Sequence, residues 1–126
     1  MTPRILVVDD DASLRELLGL HLSNAGYEVV VAEDAVAAGH ALLKRAPTLM
    51  LIDVDMPYMN GFEFVAAVKA EPGLGSIPVL FLTARDDVDE RARKVGAAGC
   101  LKKPLFANEL IAAVAAIAPS ERFAIG

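Results

Sequence analysis

The chain has 126 residues and a formal net charge of −5, and 55% of its residues are hydrophobic. This length predicts one domain that can bury a core without disulfides or metals, and the composition excludes a disordered chain. The longest uninterrupted apolar stretch, residues 110–118, is too short to span a membrane. The negative charge argues against nonspecific nucleic-acid binding. The single cysteine, Cys100, and an N-terminus unlike a signal peptide favour a cytoplasmic protein.

Short apolar runs alternate with helical patterns from one end of the chain to the other. The runs are rich in branched residues, which is typical of strands buried on both faces of a sheet. Caps such as Asp34 and breakers such as Gly26 separate them. In chain order the predicted elements are strand 5–8, a helix between Asp11 and Gly26, strand 28–32, a helix from Asp34 to Arg45, strand 49–52, helix 62–70, strand 79–82, helix 86–95, strand 100–102 and helix 108–117.

Five strands that each precede a helix predict an α/β fold, doubly wound around a parallel five-stranded sheet. Right-handed crossovers and short connections leave few topologies, and the flavodoxin-like order 2-1-3-4-5 is the expected one. We assign residues 1–118 to this domain and residues 119–126 to a C-terminal tail or the start of a linker.

Polar residues follow four of the predicted strands at their carboxyl ends. Asp9 and Asp10 follow the first strand, Asp53 the third, Thr83 the fourth, and Lys103 the fifth. In the order 2-1-3-4-5 these strand ends are neighbours, so we expect the side chains to meet in one pocket. Taken singly, each has an ordinary explanation as a helix cap, turn residue or solvated loop, but together in this order they predict a functional site.

Three clustered carboxylates repel one another unless protons or a cation neutralise them. A hard divalent ion such as Mg²⁺ suits oxygen ligands of this kind. A cation, a lysine and a hydroxyl arranged around a carboxylate nucleophile are the groups that phosphoryl transfer requires. The sequence therefore predicts a magnesium-dependent phosphoryl-transfer site.

The chain resembles the response-regulator receiver domains of two-component signalling, including the chemotaxis receivers. The resemblance covers essentially the whole chain and rests on four segments in register. They are residues 5–11 (ILVVDDD), 51–61 (LIDVDMPYMNG), 78–84 (PVLFLTA) and 96–104 (GAAGCLKKP). The family also has the strand order 2-1-3-4-5, so this part of the fold prediction rests partly on the resemblance.

The resemblance implies a role for each residue of the predicted site. Asp53 matches the phosphoacceptor, and Asp10 and Asp53 match direct Mg²⁺ ligands. Asp9 matches a ligand reached through water, and the backbone carbonyl of Asp55 matches a further ligand. Thr83 matches the hydroxyl that moves to the phosphoryl group on activation. Lys103, rather than Lys102, matches the lysine that pairs with that group, and the Lys103–Pro104 peptide bond is expected to be cis.

The resemblance also implies partners and an output. The phosphoryl donor would be a sensor histidine kinase or a histidine phosphotransfer protein, and the output would pass through the surface of the fourth helix, fifth strand and fifth helix to an effector that the sequence does not identify. A phosphorylation-linked dimer is compatible with this prediction. The domain would bind neither nucleic acid nor membrane, and it would be no enzyme beyond assisting its own phosphorylation and dephosphorylation.

Three positions depart from the common receiver pattern. Cys100 stands where receivers often carry an aromatic residue, which puts an aromatic-coupled switch in doubt, and we expect a buried strand residue there. Asp55 and Arg85 lie two residues after Asp53 and Thr83, and we expect both side chains at the mouth of the pocket, where they either pair or are solvated independently.

A second function from another class is a small haloacid-dehalogenase-like phosphatase. In that interpretation Asp53 and Asp55 form the Asp-x-Asp pair, with the second acid as general acid and base. The family places this pair after its first strand, whereas here it follows the third, and the chain has no room for a cap domain.

Overall fold

The structure, a computed structural model, describes residues 2–120. Five strands alternate with five helices, as the sequence predicts, and each strand precedes a helix. The strands are β1 (Arg4–Val8), β2 (Glu28–Ala32), β3 (Leu49–Asp53), β4 (Val79–Thr83) and β5 (Gly99–Lys102). The helices are α1 (Ala12–Asn24), α2 (Ala35–Lys44), α3 (Gly61–Ala70), α4 (Asp89–Lys94) and α5 (Ala107–Ile117).

All four strand pairings are parallel, and the sheet order is β2-β1-β3-β4-β5. The prediction of a flavodoxin-like, doubly wound fold is therefore confirmed. The central strands are buried on both faces because helices cover the sheet on both sides.

Alternate residues of each strand point to opposite faces and so divide the apolar core into two layers. On one face Leu6 and Ile52 pack with buried residues of α2, α3 and α4. On the other, Ile5 and Leu51 pack with α1 and α5. Both layers leave the carboxyl ends of the strands free for polar side chains.

Local signals at the helix starts act as predicted. The Asp11 carboxylate caps α1 by accepting the backbone N–H groups of Ser13 and Leu14, and the Asp34 carboxylate caps α2 by accepting the N–H of Ala37. Gly26 follows α1 with a φ of 96°, a conformation that favours glycine.

The prediction for α4 is wrong in length. A helix was expected over residues 86–95, but α4 covers only Asp89–Lys94. Asp86 and Asp87 pair with Lys102 and Arg85 instead of joining the helix, and no side chain caps its start. The other predicted element bounds differ from the structure by no more than one residue.

The C-terminal boundary remains a prediction. Ser120 is buried, and its hydroxyl donates to the carbonyl oxygen of Ala25 at 2.8 Å, so packing continues past the expected boundary at residue 118. Residues 121–126 of the expected tail lie outside the described residues. Within residues 2–120, no helix has the length and apolar character needed to cross a membrane.

Candidate functional site

The polar residues singled out in the sequence meet at one edge of the sheet. Asp53 and Thr83 are the last residues of β3 and β4, Asp9 and Asp10 directly follow β1, and Lys103 directly follows β5. Because parallel strands end at the same edge, the fold alone brings these residues to one place.

Three carboxylates form the centre of the site. Asp9, Asp10 and Asp53 each offer an oxygen, and these oxygens lie within 4.8 Å of one another. Asp9 and Asp53 are buried, whereas Asp10 is exposed and leaves the cluster open on one side. Oxygen donors of this number and charge fit a hard divalent cation such as Mg²⁺.

Asp9 is held on every side by neighbouring groups. Its Oδ1 accepts the backbone N–H of Asp11 at 2.9 Å, and its carbonyl oxygen accepts Nη1 of Arg15 at 2.7 Å. Its own N–H donates to the carbonyl oxygen of Ala32 at 3.1 Å. Arg15 was not predicted to contact the site, although its position one turn after the cap Asp11 places it near the end of β1.

Lys103 bridges two of the carboxylates. Its Nζ lies 3.0 Å from Oδ2 of Asp9 and 3.5 Å from Oδ1 of Asp53. Burial opposes the charged ammonium, but the hydrogen bond to Asp9 and the charges of Asp53 and Asp9 outweigh burial and raise the pKa of Lys103. Lys102 lies outside the cluster and pairs with the exposed Asp86. The Lys103–Pro104 bond is cis, as expected.

The Asp53 carboxylate has two unequal oxygens. Its Oδ1 accepts the backbone N–H of Asp55 at 3.2 Å and faces Lys103, whereas its Oδ2 accepts no hydrogen bond from the described residues. Burial and repulsion from Asp9 raise the pKa of Asp53 from 3.8 to about 6, although Lys103 and the N–H of Asp55 act in the opposite direction. At neutral pH the carboxylate is therefore mostly ionised.

Thr83 is buried beside these groups. Its Oγ1 accepts the backbone N–H of Arg85 at 2.9 Å, and its carbonyl oxygen accepts the N–H of Lys103 at 2.7 Å. The hydroxyl thus has an acceptor role in the loop after β4 and keeps its own proton free to donate. Through these two hydrogen bonds Thr83 connects the loop after β4 to Lys103.

Asp55 and Arg85 pair, and a third residue joins them. Nη1 of Arg85 lies 3.4 Å from Oδ1 of Asp55, and its Nε lies 3.3 Å from Oδ1 of Asp87. All three side chains are exposed, so the group contributes little to stability. Asp87 was not predicted here because the sequence places it in a helix.

Gly61 packs against the end of β3, although no role was predicted for it from the sequence. A Cβ at this position would lie 2.5 Å from the carbonyl oxygen of Asp53 and 3.1 Å from Cα of Val54, which is too close for any side chain. Its N–H donates to the carbonyl oxygen of Val54 at 2.8 Å. The first residue of α3 therefore packs directly on the backbone of the site.

Cys100 is half-buried on the edge strand β5 rather than fully buried. Burial raises the pKa of its thiol, and the nearby carboxylate of Asp89 at the start of α4 raises it further. The thiol is therefore protonated at neutral pH and behaves as a small packing residue.

The fold and this cluster define a receiver domain. Residues 5–115 match the family model described as the response regulator receiver domain. The chain belongs to this family, whose members are signalling domains of two-component systems, with aspartate phosphorylation and Mg²⁺ use as general features. The resemblance inferred from the sequence is confirmed.

Known relatives agree with this assignment. The chain is 37% identical over 119 residues to the phosphate regulon transcriptional regulatory protein PhoB of Escherichia coli, with 93% of the chain and 52% of PhoB covered. It is 41% identical over 120 residues to the response regulator MprA of Mycobacterium tuberculosis, with 93% and 51% covered. The chain thus spans about half the length of the curated relatives it matches.

Solved structures give the same fold. The chemotaxis response regulator CheY4 of Vibrio cholerae superposes with a TM-score of 0.88 at 34% identity, covering 93% of this chain and 99% of that one. The receiver domain of a histidine kinase from Syntrophus aciditrophicus gives a TM-score of 0.84 at 30% identity, covering 92% and 89%. The phosphatase alternative gains no support, since Asp55 pairs with Arg85 and the chain belongs to the receiver family.

Proposed function

We propose that this domain accepts a phosphoryl group on Asp53 from the phosphohistidine of a sensor histidine kinase or a histidine phosphotransfer protein. The supporting observation is the free oxygen of this carboxylate. Oδ2 of Asp53 accepts no hydrogen bond from the described residues, whereas both carboxylate oxygens of the fully buried Asp9 are engaged by Asp11 and Lys103. Of the two buried acids, only Asp53 has an oxygen available for attack.

The transfer needs an ionised carboxylate. An oxygen of Asp53 attacks phosphorus, the new O–P bond gives an acyl phosphate, and the N–P bond to histidine breaks with its electron pair left on the imidazole. With a pKa of about 6, Asp53 supplies the ionised form at neutral pH.

Two further side chains would contact the phosphoryl group once it is bound to Asp53. Lys103 already lies 3.5 Å from Asp53 and offers positive charge to a phosphoryl oxygen. Thr83 ends the neighbouring strand, and its hydroxyl proton is free to be donated to a second phosphoryl oxygen. Both interactions grow stronger once a dianion replaces the single charge of the carboxylate.

The residues present fit a bound Mg²⁺. Asp10 and Asp53 would hold it directly, Asp9 through water, and the backbone carbonyl of Asp55 would complete the protein ligands. When bound, the ion supplies positive charge opposite the oxygens of the transferred group. The exposed Asp10 is the carboxylate best placed to admit the ion, because Asp9 and Asp53 are buried behind it.

Phosphorylation would be transmitted through α4, β5 and α5. The support is the weak attachment of α4, which has six residues, one buried side chain and no side-chain cap. A shift of Thr83 toward the phosphoryl group moves the loop that precedes this helix. The effector that reads the change, and a dimer formed on phosphorylation, remain proposals, and the domain's only catalysis would be on its own phosphoryl group.

The test uses acetyl phosphate and Mg²⁺ as the phosphodonor system. Intact-mass analysis should show one added phosphoryl group on the parent chain and none on Asp53→Asn. Asp87→Asn is the matched control, because it removes an exposed carboxylate near the site and should keep full labelling. Full labelling of Asp53→Asn would refute the assignment of the acceptor.

A further inference from the structure

An apolar opening lies away from the carboxylates, between α2 and α3. A cavity of about 380 Å³ is lined by both helices. A second, of about 290 Å³, shares Ala35, Val36 and Phe64 with the first and extends to Tyr58 and Met59. The two form one continuous groove, lined by residues within 35–43, 58–59 and 64–74, which we call the α2–α3 groove.

Large apolar side chains are concentrated along this groove. The exposed fractions are 85% for Leu43, 62% for Val36, 92% for Tyr58 and 36% for Met59. These are four of the eight large hydrophobic residues that are exposed in residues 2–120. Contiguous apolar surface of this kind is uncommon on monomeric proteins and usually marks a binding site.

The two helices present facing ridges with space between them. Along α2 the lining residues are spaced as Val36, Gly39, His40 and Leu43. The same spacing begins at Phe64 on α3 and ends at Glu71, the residue that follows this helix. No atom lies within 4 Å of the position that a Cβ of Gly39 would occupy, so the groove is open there. Two ridges at helical spacing are the arrangement into which a third helix packs.

The loop after β3 closes one end of the groove with an unusual turn. Tyr58 has a φ of 71°, and the N–H of Met59 donates to the carbonyl oxygen of Pro57 at 2.8 Å. A bulky residue seldom adopts this conformation, and it persists here while the Tyr58 side chain is almost fully exposed. The turn therefore presents an aromatic ring that no part of the described chain covers.

The size and charge of the groove indicate what covers it. Thirteen residues line the two cavities together, fewer than the about 20–30 per side of a stable interface between folded proteins, so a second copy of the chain is a poor fit. The lining residues include Glu71 but no lysine or arginine, and the formal net charge of the chain is −5. A single basic segment suits this surface better than another acidic domain.

We propose that the α2–α3 groove binds one amphipathic helix of a partner protein, with its apolar stripe in the groove and basic residues on either side of that stripe. The proposal is independent of phosphorylation at Asp53. It would stand if the acceptor assignment failed.

The test uses a displayed library of helix-forming peptides of about 14 residues, or about 21 Å of helix. Each peptide has apolar residues at i, i+3, i+4 and i+7 and random residues elsewhere, and the full chain is the bait. Enriched peptides should carry an excess of lysine and arginine. Their binding, measured by fluorescence anisotropy, should weaken about tenfold or more in Leu43→Glu and in Gly39→Leu, which fills the groove.

Two further variants sharpen the result. Leu20→Glu introduces the same charge at an apolar side chain of α1 that is 57% exposed, and it should bind the peptides like the parent. Glu71→Lys should weaken the basic peptides without unfolding the domain, which circular dichroism melting checks for every variant.

Three outcomes would overturn the proposal. The library fails to enrich any peptide above selection without bait, or the enriched peptides bind Leu43→Glu and Gly39→Leu as tightly as the parent. The third is a parent chain that sediments as a dimer which Leu43→Glu dissociates, because this would assign the groove to a second copy.

Discussion

The ammonium group of Lys103 lies 3.0 Å from Oδ2 of Asp9, although the two residues are 94 positions apart in the sequence. Asp9 follows β1 and Lys103 follows β5, and β3 and β4 lie between those two strands. The pair therefore reaches across the ends of these two strands, and a carboxylate with no exposed surface is neutralised by a residue that follows the edge strand β5.

Replacing Lys103 by methionine should destabilise the domain by about 2–4 kcal/mol, because two buried carboxylates lose their shared cation. It should also raise the pKa of Asp53 above its value of about 6. Urea unfolding measures the first effect, and carboxyl carbon shifts in NMR measure the second. Lys102→Met is the matched control, since Lys102 pairs only with the exposed Asp86 among the described residues. Equal losses in both variants would contradict the bridging role.

Asp53 should make the metal-free domain less stable as pH rises from about 4 to about 6. The pKa of Asp53 is 3.8 for the unfolded chain and about 6 in the folded domain, so the folded state binds the proton more tightly. The free energy of unfolding of the domain therefore falls as pH rises across this window. Asp53→Asn should therefore be more stable than the parent by about 1–3 kcal/mol near pH 7.5. Urea titrations in EDTA at about pH 4 and pH 7.5 measure this difference in the free energy of unfolding between variant and parent. A difference between variant and parent that does not change with pH would contradict the shift.

Asp10→Ala should weaken Mg²⁺ binding while leaving the unfolding free energy in EDTA nearly unchanged, because this side chain is exposed. In the parent, Mg²⁺ should raise the urea midpoint through binding to the folded state. That increase should shrink in the variant, and isothermal titration should show the lost affinity directly. Asp86→Ala removes an exposed acid outside the cluster and should bind Mg²⁺ like the parent. Parent-like affinity in Asp10→Ala would show that the ion is bound elsewhere.

Asp55 and Arg85 should act together on the lifetime of the phosphoryl group. Their pair lies on the two loops beside Asp53 and would restrict an attacking water. Arg85→Ala and Asp55→Ala should each accelerate loss of phosphate, and the double variant should add little to either. Dephosphorylation rates followed by mass spectrometry measure this. Asp87→Ala controls for the second partner of Arg85, and effects that simply add would argue against a joint role.

Phosphorylation should change the hydrogen exchange of residues 83–104, which run from Thr83 through α4 and β5 to the cis proline. Beryllofluoride serves as the phosphoryl mimic, with Asp53→Asn as the control that should not respond. The loop after Thr83 should show the largest change, since Cys100 lacks the bulk for a large rotation. Exchange that is the same with and without the mimic would contradict this switch.

The alternation of strands and helices could be predicted from the apolar runs, whereas the strand order rested partly on the resemblance to receiver domains. Given that order, the convergence of the site follows from which residue ends each run. The start of α4 could not be predicted. Asp86 and Asp87 look like the first turn of a helix, yet they lie in the loop before α4, where they pair with Lys102 and Arg85. Contacts of this kind depend on side-chain positions in neighbouring loops, which no periodicity encodes.

The contacts of Arg15 and Gly61 could not be predicted either, because both are made to backbone atoms of other segments and leave no pattern in the sequence. Arg15 binds a backbone carbonyl, and any long cation on that face of α1 would look the same in the sequence. Cys100 was expected to be buried, but β5 lies at an edge of the sheet and leaves it half-exposed.

Gly61 packs closely on the carbonyl oxygen of Asp53, so the backbone of residue 53 and its side chain place separate requirements on the sequence. The glycine is demanded by the backbone of β3 and by nothing in the carboxylate itself, because the clash of an added Cβ involves main-chain atoms only. A variant with asparagine at position 53 would still require glycine at position 61. Tolerance to substitution at position 61 therefore reports on the backbone of the loop, whereas tolerance at position 53 reports on the proposed phosphoryl transfer.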